Sequence, residues 1–233
     1  MSNQYFDFKQ FRICQDKCAM KVGTDGVLLG AWFQLSPGDR VLDIGTGTGL
    51  VALMAAQRGA GHVTAIEIDG SAAGQAAYNV QVSPFHDRII VKETDANSFT
   101  AEELFDRIVC NPPFFRNSLR CPDESRNMAR HNDNLSYEQL VVIAVRLLKE
   151  NGEFTVVLPA EKSEEFKRIC ATGGLFLKSA CQIVTVIGKA PKRSLMTFGR
   201  NASVPEITTM PMCDTTGAKT PEFTALIKDF YIR

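Results

Sequence analysis

One tryptophan and three histidines are all that 233 residues contain of those two types, and no apolar run is long enough to span a bilayer. The seven cysteines are odd in number and scattered; only Cys14 and Cys18 are near neighbours, with no second Cys or His pair beside them. Neither a disulfide framework nor a zinc site is indicated, so the thiols read as reduced, in a cytoplasmic protein that holds no metal. Net charge is also missing: 26 basic residues balance 26 acidic ones, so any nucleic-acid contact must come from a local patch. The opening MSNQYFDFKQF has no apolar core and does not read as a secretory signal. No internal repeat or low-complexity tract is present.

What is present alternates between strand and helix. Strands are predicted at 40–45, 62–68, 88–94, 106–111 and 153–159, and a long one begins at 175. Helices are predicted at 49–59, at 71–81 with Asp69 or Ser71 as N-cap, at 136–152 between Ser136 as cap and Gly152 as stop, and at 161–174. Such alternation argues for an α/β domain with a mostly parallel sheet. Residues 1–35 form a separate piece, a β-hairpin around Phe6, Phe8 and Phe11 and a short helix after Thr24-Asp25, packed on a main domain over 36–233. The polar stretch 117–134 reads as a mobile loop.

Between the first strand and first helix of the main domain lies DIGTGTG, with Gly45, Gly47 and Gly49. Glycine allows positive φ and close approach of a ligand to the backbone. A dinucleotide fingerprint would need a small residue where Leu50 stands, and a triphosphate loop would need a G-K-[ST] that is absent. S-adenosyl-L-methionine carries no phosphate and suits the carboxylates at successive strand ends. Asp43 can orient its ammonium, Glu67 can accept both ribose hydroxyls, and Asp95 can receive the adenine amine beside the Ala96 backbone. A bare tight turn would not explain those three acids.

The fourth strand leaves the sheet through Asn111-Pro112-Pro113-Phe114-Phe115. A residue before proline is biased towards extended geometry, and proline donates no N–H. The result is a stiff ledge with two acceptors, the Asn111 side-chain oxygen and the Pro112 carbonyl. Two fixed acceptors suit a planar NH2, whose lone pair can then turn towards an electrophilic methyl, and Phe114 offers a face for stacking. Phe115 is as easily a core residue as a functional one.

These motifs resemble class I methyltransferases that modify exocyclic amines through N-P-P-[FY], a motif shared by enzymes acting on adenine, guanine N2 and a glutamine amide. FKQF at 8–11, CAMKVGTDGVLLGAW at 18–32, LDIGTGTGLVALMAAQR and FTALIKDFYI resemble the bacterial valine tRNA (adenine-37 N6)-methyltransferase family over nearly the whole chain. The resemblance implies a Rossmann-like, mostly parallel seven-stranded sheet flanked by helices, and methyl transfer from S-adenosyl-L-methionine to an anticodon-loop adenine of valine tRNA. It places Lys21, Thr24 and Asp25 near the cofactor, where helix capping is an alternative role for the last two. Phe114 stands where many relatives carry tyrosine. A glutamine-amide or guanine-N2 methyltransferase remains the alternative enzyme. A non-catalytic RNA binder is opposed by the intact motif, and a nicotinamide oxidoreductase by Leu50.

From Phe166 to Pro205 there is no Asp or Glu, while seven Lys or Arg occur. Lys189, Lys192 and Arg193, in a predicted loop between strands, and Arg116 and Arg130 after the motif are candidate RNA contacts. Lys167 and Arg168 read instead as a solvated helix face. The chain is expected to act as a monomer.

Overall fold

In the computed structural model, which describes residues 3–18, 21–112 and 135–232, period-two apolar segments pair into one large sheet. The elements in chain order are β1 (Tyr5–Asp7), β2 (Arg12–Cys14), α1 (Thr24–Trp32), β3 (Arg40–Ile44), α2 (Leu50–Gln57), β4 (His62–Glu67), α3 (Gly70–Gln81), β5 (Ile89–Glu93) and β6 (Phe105–Cys110). They continue with α4 (Tyr137–Leu147), β7 (Leu148–Pro159), α5 (Ser163–Thr172), β8 (Phe176–Val186), β9 (Arg193–Gly199), β10 (Glu206–Cys213) and α6 (Pro221–Ile227). The sheet order is β10-β8-β9-β7-β6-β3-β4-β5, parallel except for β9, which runs against both neighbours. β1 and β2 form a separate antiparallel hairpin.

Alternation along each strand divides the core between two faces. On β3, Val41 joins the cluster under α1, α2, α3 and the hairpin, while Leu42 and Ile44 join the cluster under α4 and α5. The first helical layer is drawn in closely: a Cβ on Gly30 of α1 would lie 2.6 Å from the buried Met54 Sδ of α2. That approach brings the start of α1 against the main sheet.

The chain runs outward through β3, β4 and β5, then returns to place β6 on the other side of β3. This reversal opens a crevice at the carboxyl ends of β3 and β6. Their register pairs Ile44 with Cys110, so the glycine loop and Asn111 leave the sheet side by side.

Two expectations are corrected. The sheet has eight strands, not seven, because β10 adds in parallel to β8. Its exposed outer half and Pro211 mask the strand pattern. The helix expected to stop at Gly152 ends at Leu147, where Arg200 Nη2 donates to the Val145 and Leu148 carbonyls. Gly152 lies instead in β7 at an irregularity of its pairing with β6, where a Cβ would sit 3.0 Å from the Asp106 carbonyl. The start of the helix is as expected, with a Ser136–Gln139 capping box.

Candidate active site

Gly45, Gly47 and Gly49 have φ of 70°, 58° and 82°, the left-handed region open to glycine. Added Cβ atoms on Gly45 and Gly47 would meet nothing within 4 Å, so backbone conformation, not crowding, demands glycine there. Gly45 and Thr46 donate to the Ile66 carbonyl, and Gly47 donates to Glu67 Oε2 at 2.9 Å. The loop is thereby held to the end of β4.

Asp43, 2% exposed, is the last residue but one of β3 and accepts from Thr46 Oγ1 at 2.6 Å. Burial pushes its carboxyl up to about 7, against the relief given by Thr46 and a backbone bond. Asp43 lines a cavity of about 170 Å³ with Lys21, Asp25, Gly45, Gly47, Asn111 and Pro112. That is below the roughly 300 Å³ of complete small-molecule pockets, room for only one end of a cofactor-sized ligand. Val22, Gly23, Gly26, Thr46, Thr48, Leu50 and Val51 also line it and were not expected from sequence as site residues. The alternating Gly-Thr pattern was the available signal for the two threonines.

Other expected residues stand around this cavity. Thr24 is exposed and opens α1. The N-cap is Gly23, with no side-chain cap bond, so neither Thr24 nor Asp25 caps the helix. Asp25 accepts through both oxygens from Arg193 Nε at 2.9 Å. Arg193, expected at RNA, thus carries a matched charge and ties β9 to α1. Lys189 and Lys192 are exposed in the β8–β9 loop, which lies at the carboxyl edge because Arg193 pairs with Pro159 at the end of β7. Lys167 pairs with Glu164, and Arg168 donates to the Glu164 carbonyl, on the face of α5.

Glu67 Oε1 takes the Ile68 and Asp69 N–H groups, so with Gly47 on Oε2 three of its about four acceptor positions are used. Asp95 Oδ1 accepts from the Asn97 backbone and amide, and the Ala96 carbonyl accepts from Arg146. Asn111 Oδ1 is buried with no hydrogen-bond partner among the described residues, unusual for a buried acceptor. Cys110 beside it is buried and its thiol is pushed well up, so it stays protonated. Phe114, Phe115, Arg116, Arg130 and the expected loop 117–134 lie outside the described residues. A second, larger cavity near Arg40, His62 and Lys92 sits at the amino ends of the strands, away from these groups.

The methyltransferase small domain family model matches residues 20–190. The tRNA1(Val) (adenine(37)-N6)-methyltransferase of Bacteroides fragilis is 53% identical over 201 residues, 85% of each chain. The protein of the same name from Phocaeicola vulgatus is 46% identical over 100% of this chain and 99% of its own. The chain belongs to this methyltransferase family. Among solved structures, a predicted O-methyltransferase from Agrobacterium tumefaciens shares the fold with a TM-score of 0.69 and 22% identity, over 88% of this chain and 96% of its own. A ribosomal protein L11 methylase from Lactobacillus delbrueckii gives 0.54 at 18% identity, over 76% and 78%. The fold is the Rossmann-like one of S-adenosyl-L-methionine-dependent methyltransferases, and S-adenosyl-L-methionine is the cofactor of the family.

Asp43 should report on a cation brought beside it. Its folded pKa, about 7, stands above the ordinary 3.8, so the contribution of Asp43 to the stability of the unliganded protein falls as pH rises between about 4 and 7. A ligand ammonium favours the ionised form. Binding of S-adenosylhomocysteine should therefore release protons at about pH 6.5, and affinity should fall by up to about tenfold per pH unit below 7. Calorimetry in buffers of different ionisation enthalpy measures this; Asp43→Asn should bind weakly with no proton release.

Proposed function

We propose that this chain transfers a methyl group from S-adenosyl-L-methionine to the exocyclic N6 amine of adenine 37 in the anticodon loop of valine tRNA, acting as a monomer. The observation that carries the reading is the buried Asn111 Oδ1 beside the glycine loop, an acceptor with no partner among the described residues. An acceptor left dry and unpaired costs about 1–3 kcal/mol unless a ligand satisfies it. The substrate itself comes from the names of the relatives, since the Asn-Pro ledge suits any planar NH2.

The residues fit the cofactor. S-adenosyl-L-methionine supplies a methyl group on a cationic sulfur. Asp43 would hold its ammonium, with Lys21, Thr24 and Asp25 at the same end, and Gly45, Gly47 and Gly49 would let it lie against the backbone. Glu67, with one acceptor position left on Oε2, would take a ribose hydroxyl directly. Asp95 Oδ2 and the Ala96 N–H would meet the adenine. Asn111 Oδ1 and the Pro112 carbonyl then accept the two hydrogens of the target amine, aim its lone pair, and stabilise charge as it develops on nitrogen. Phe114 would stack on the flipped base. Lys189 and Lys192, with Arg116 and Arg130, would hold phosphates of the anticodon stem-loop.

Incubation of the protein with unmodified total tRNA and labelled S-adenosyl-L-methionine should yield N6-methyladenosine in valine tRNA. Recovery of N2-methylguanosine, or label only in a release factor, would replace the adenine reading by the alternative enzymes. Asn111→Ala should lower kcat by roughly 10²–10³-fold while the affinity for S-adenosylhomocysteine changes little. Turnover near wild type would remove the ledge from the mechanism. Lys189→Ala with Lys192→Ala should make the dependence of tRNA affinity on salt shallower by roughly 1–2 log units per log unit; an unchanged slope would place RNA elsewhere.

A further inference from the structure

Three amide side chains are almost fully buried around the cavity without touching it: Gln15 at 5% exposure, Gln75 at 3% and Asn79 at 0%. Gln75 and Asn79 lie one turn apart on α3, among alanines. Asn79 Oδ1 accepts from the Cys14 N–H at 2.9 Å, and its Nδ2 donates to the Cys14 and Thr48 carbonyls, each at 2.9 Å. Gln75 Oε1 accepts from the Lys17 N–H at 3.0 Å. Gln15 Oε1 accepts from the Val22 N–H at 2.8 Å, and its amide donates to the Asn3 carbonyl. Of these partners, Val22 and Thr48 line the cavity, one on the amino-terminal wall and one in the glycine loop. Cys14 and Lys17 lie outside it, and Gln15, next to Cys14, reaches Val22.

We infer that Asn79 is a positioning residue that joins the amino-terminal wall of the cofactor cavity to the glycine loop, with Gln75 and Gln15 as its auxiliaries. The inference rests on reading the cavity as the cofactor pocket. An amide is the group that this place requires. Cys14 presents one donor and one acceptor, Thr48 presents a second acceptor, and Asn offers one oxygen and two N–H donors to match all three. Towards Cys14 the side chain acts as a neighbouring strand would, exchanging a pair of bonds with one residue. Turning the amide over would set its nitrogen against an N–H and its oxygen against two carbonyls, so the orientation is decided by the partners. Through Cys14, and through Gln15 that follows it and holds the Val22 N–H, Asn79 thus sets the distance between the amino-terminal wall and Gly45–Thr48, between which the amino-acid end of the ligand would lie.

The isosteric Asn79→Asp tests this, since it keeps the size and removes both donors. In the unliganded full chain, hydrogen exchange at residues 14–17 should speed up while the β3 and β6 amides keep their protection. The dissociation constant of S-adenosylhomocysteine, measured by calorimetry, should rise by about tenfold or more, and KM for the methyl donor by a similar factor. At saturating donor, kcat should stay within about threefold, because Asn79 touches no reacting atom. If exchange at 14–17 rises but the dissociation constant and KM do not, the positioning role is refuted. Lower kcat at unchanged KM refutes it equally, since that is the mark of a smaller folded fraction. Should Asn79→Asp fail to fold, Gln75→Leu removes only the bond to Lys17 and should weaken S-adenosylhomocysteine binding in the same direction by a smaller factor; unchanged binding overturns the inference. Wild-type protein that does not bind S-adenosylhomocysteine would sink the cofactor reading itself, an outcome separable from variants that bind as well as wild type.

Discussion

The turn after β3 passes through three left-handed glycines in five residues, and the rest of the site takes its place from that turn. Its N–H groups are bound to Ile66 and Glu67, so the loop cannot relax without disturbing β4. Its Thr46 hydroxyl donates to Asp43, and its Thr48 carbonyl accepts from Asn79. A loop made mostly of small residues would ordinarily be the softest part of such a domain. Here its polar groups are bonded to three different elements, which makes it a fixed reference surface.

Around that reference, the topology sorts functions by strand. The end of β3 supplies a desolvated carboxylate, the end of β4 a carboxylate gripped by backbone N–H groups, and the end of β6 an acceptor with no partner among the described residues. These are three electrostatic environments for similar oxygen atoms, and the difference lies in how many donors each already has. A ligand that brings an ammonium, ribose hydroxyls and an aromatic amine meets an acceptor prepared to a different degree for each. The Arg193–Asp25 pair extends the same arrangement to the far side of the sheet, linking the antiparallel strand to the amino-terminal wall.

Much of this was legible in the sequence because it rests on local rules. Alternating glycines, acids at strand ends and a proline-stiffened exit are short-range signals, and the strand–helix rhythm carries the sheet. Ser136 and Asp69 act as caps where capping chemistry places them. What could not be read locally depends on partners far along the chain. Gly152 looked like a helix stop and is a close approach to Asp106; Arg193 looked like a phosphate ligand and has its carboxylate 168 residues away. Asn79 and Gln75 were not singled out from sequence, yet both are buried. Their spacing of four among alanines was visible, but nothing local showed that backbone groups of residues 14–17 would meet them. β10 escaped notice because an edge strand that is half exposed and carries proline has little apolar pattern to show.

The amino-terminal hairpin has a consequence for how the molecule comes into being. Phe8 bridges to Tyr231, Lys9 donates to the Phe230 carbonyl, and the rings of Phe6, Phe8 and Tyr231 form one aromatic cluster. During synthesis, residues near 8 emerge well before residues near 231. The central strands can therefore assemble while the hairpin still lacks the partners that seat it. The amino-terminal wall of the pocket is expected to be secured after the glycine loop, so the site would be built outward from the sheet.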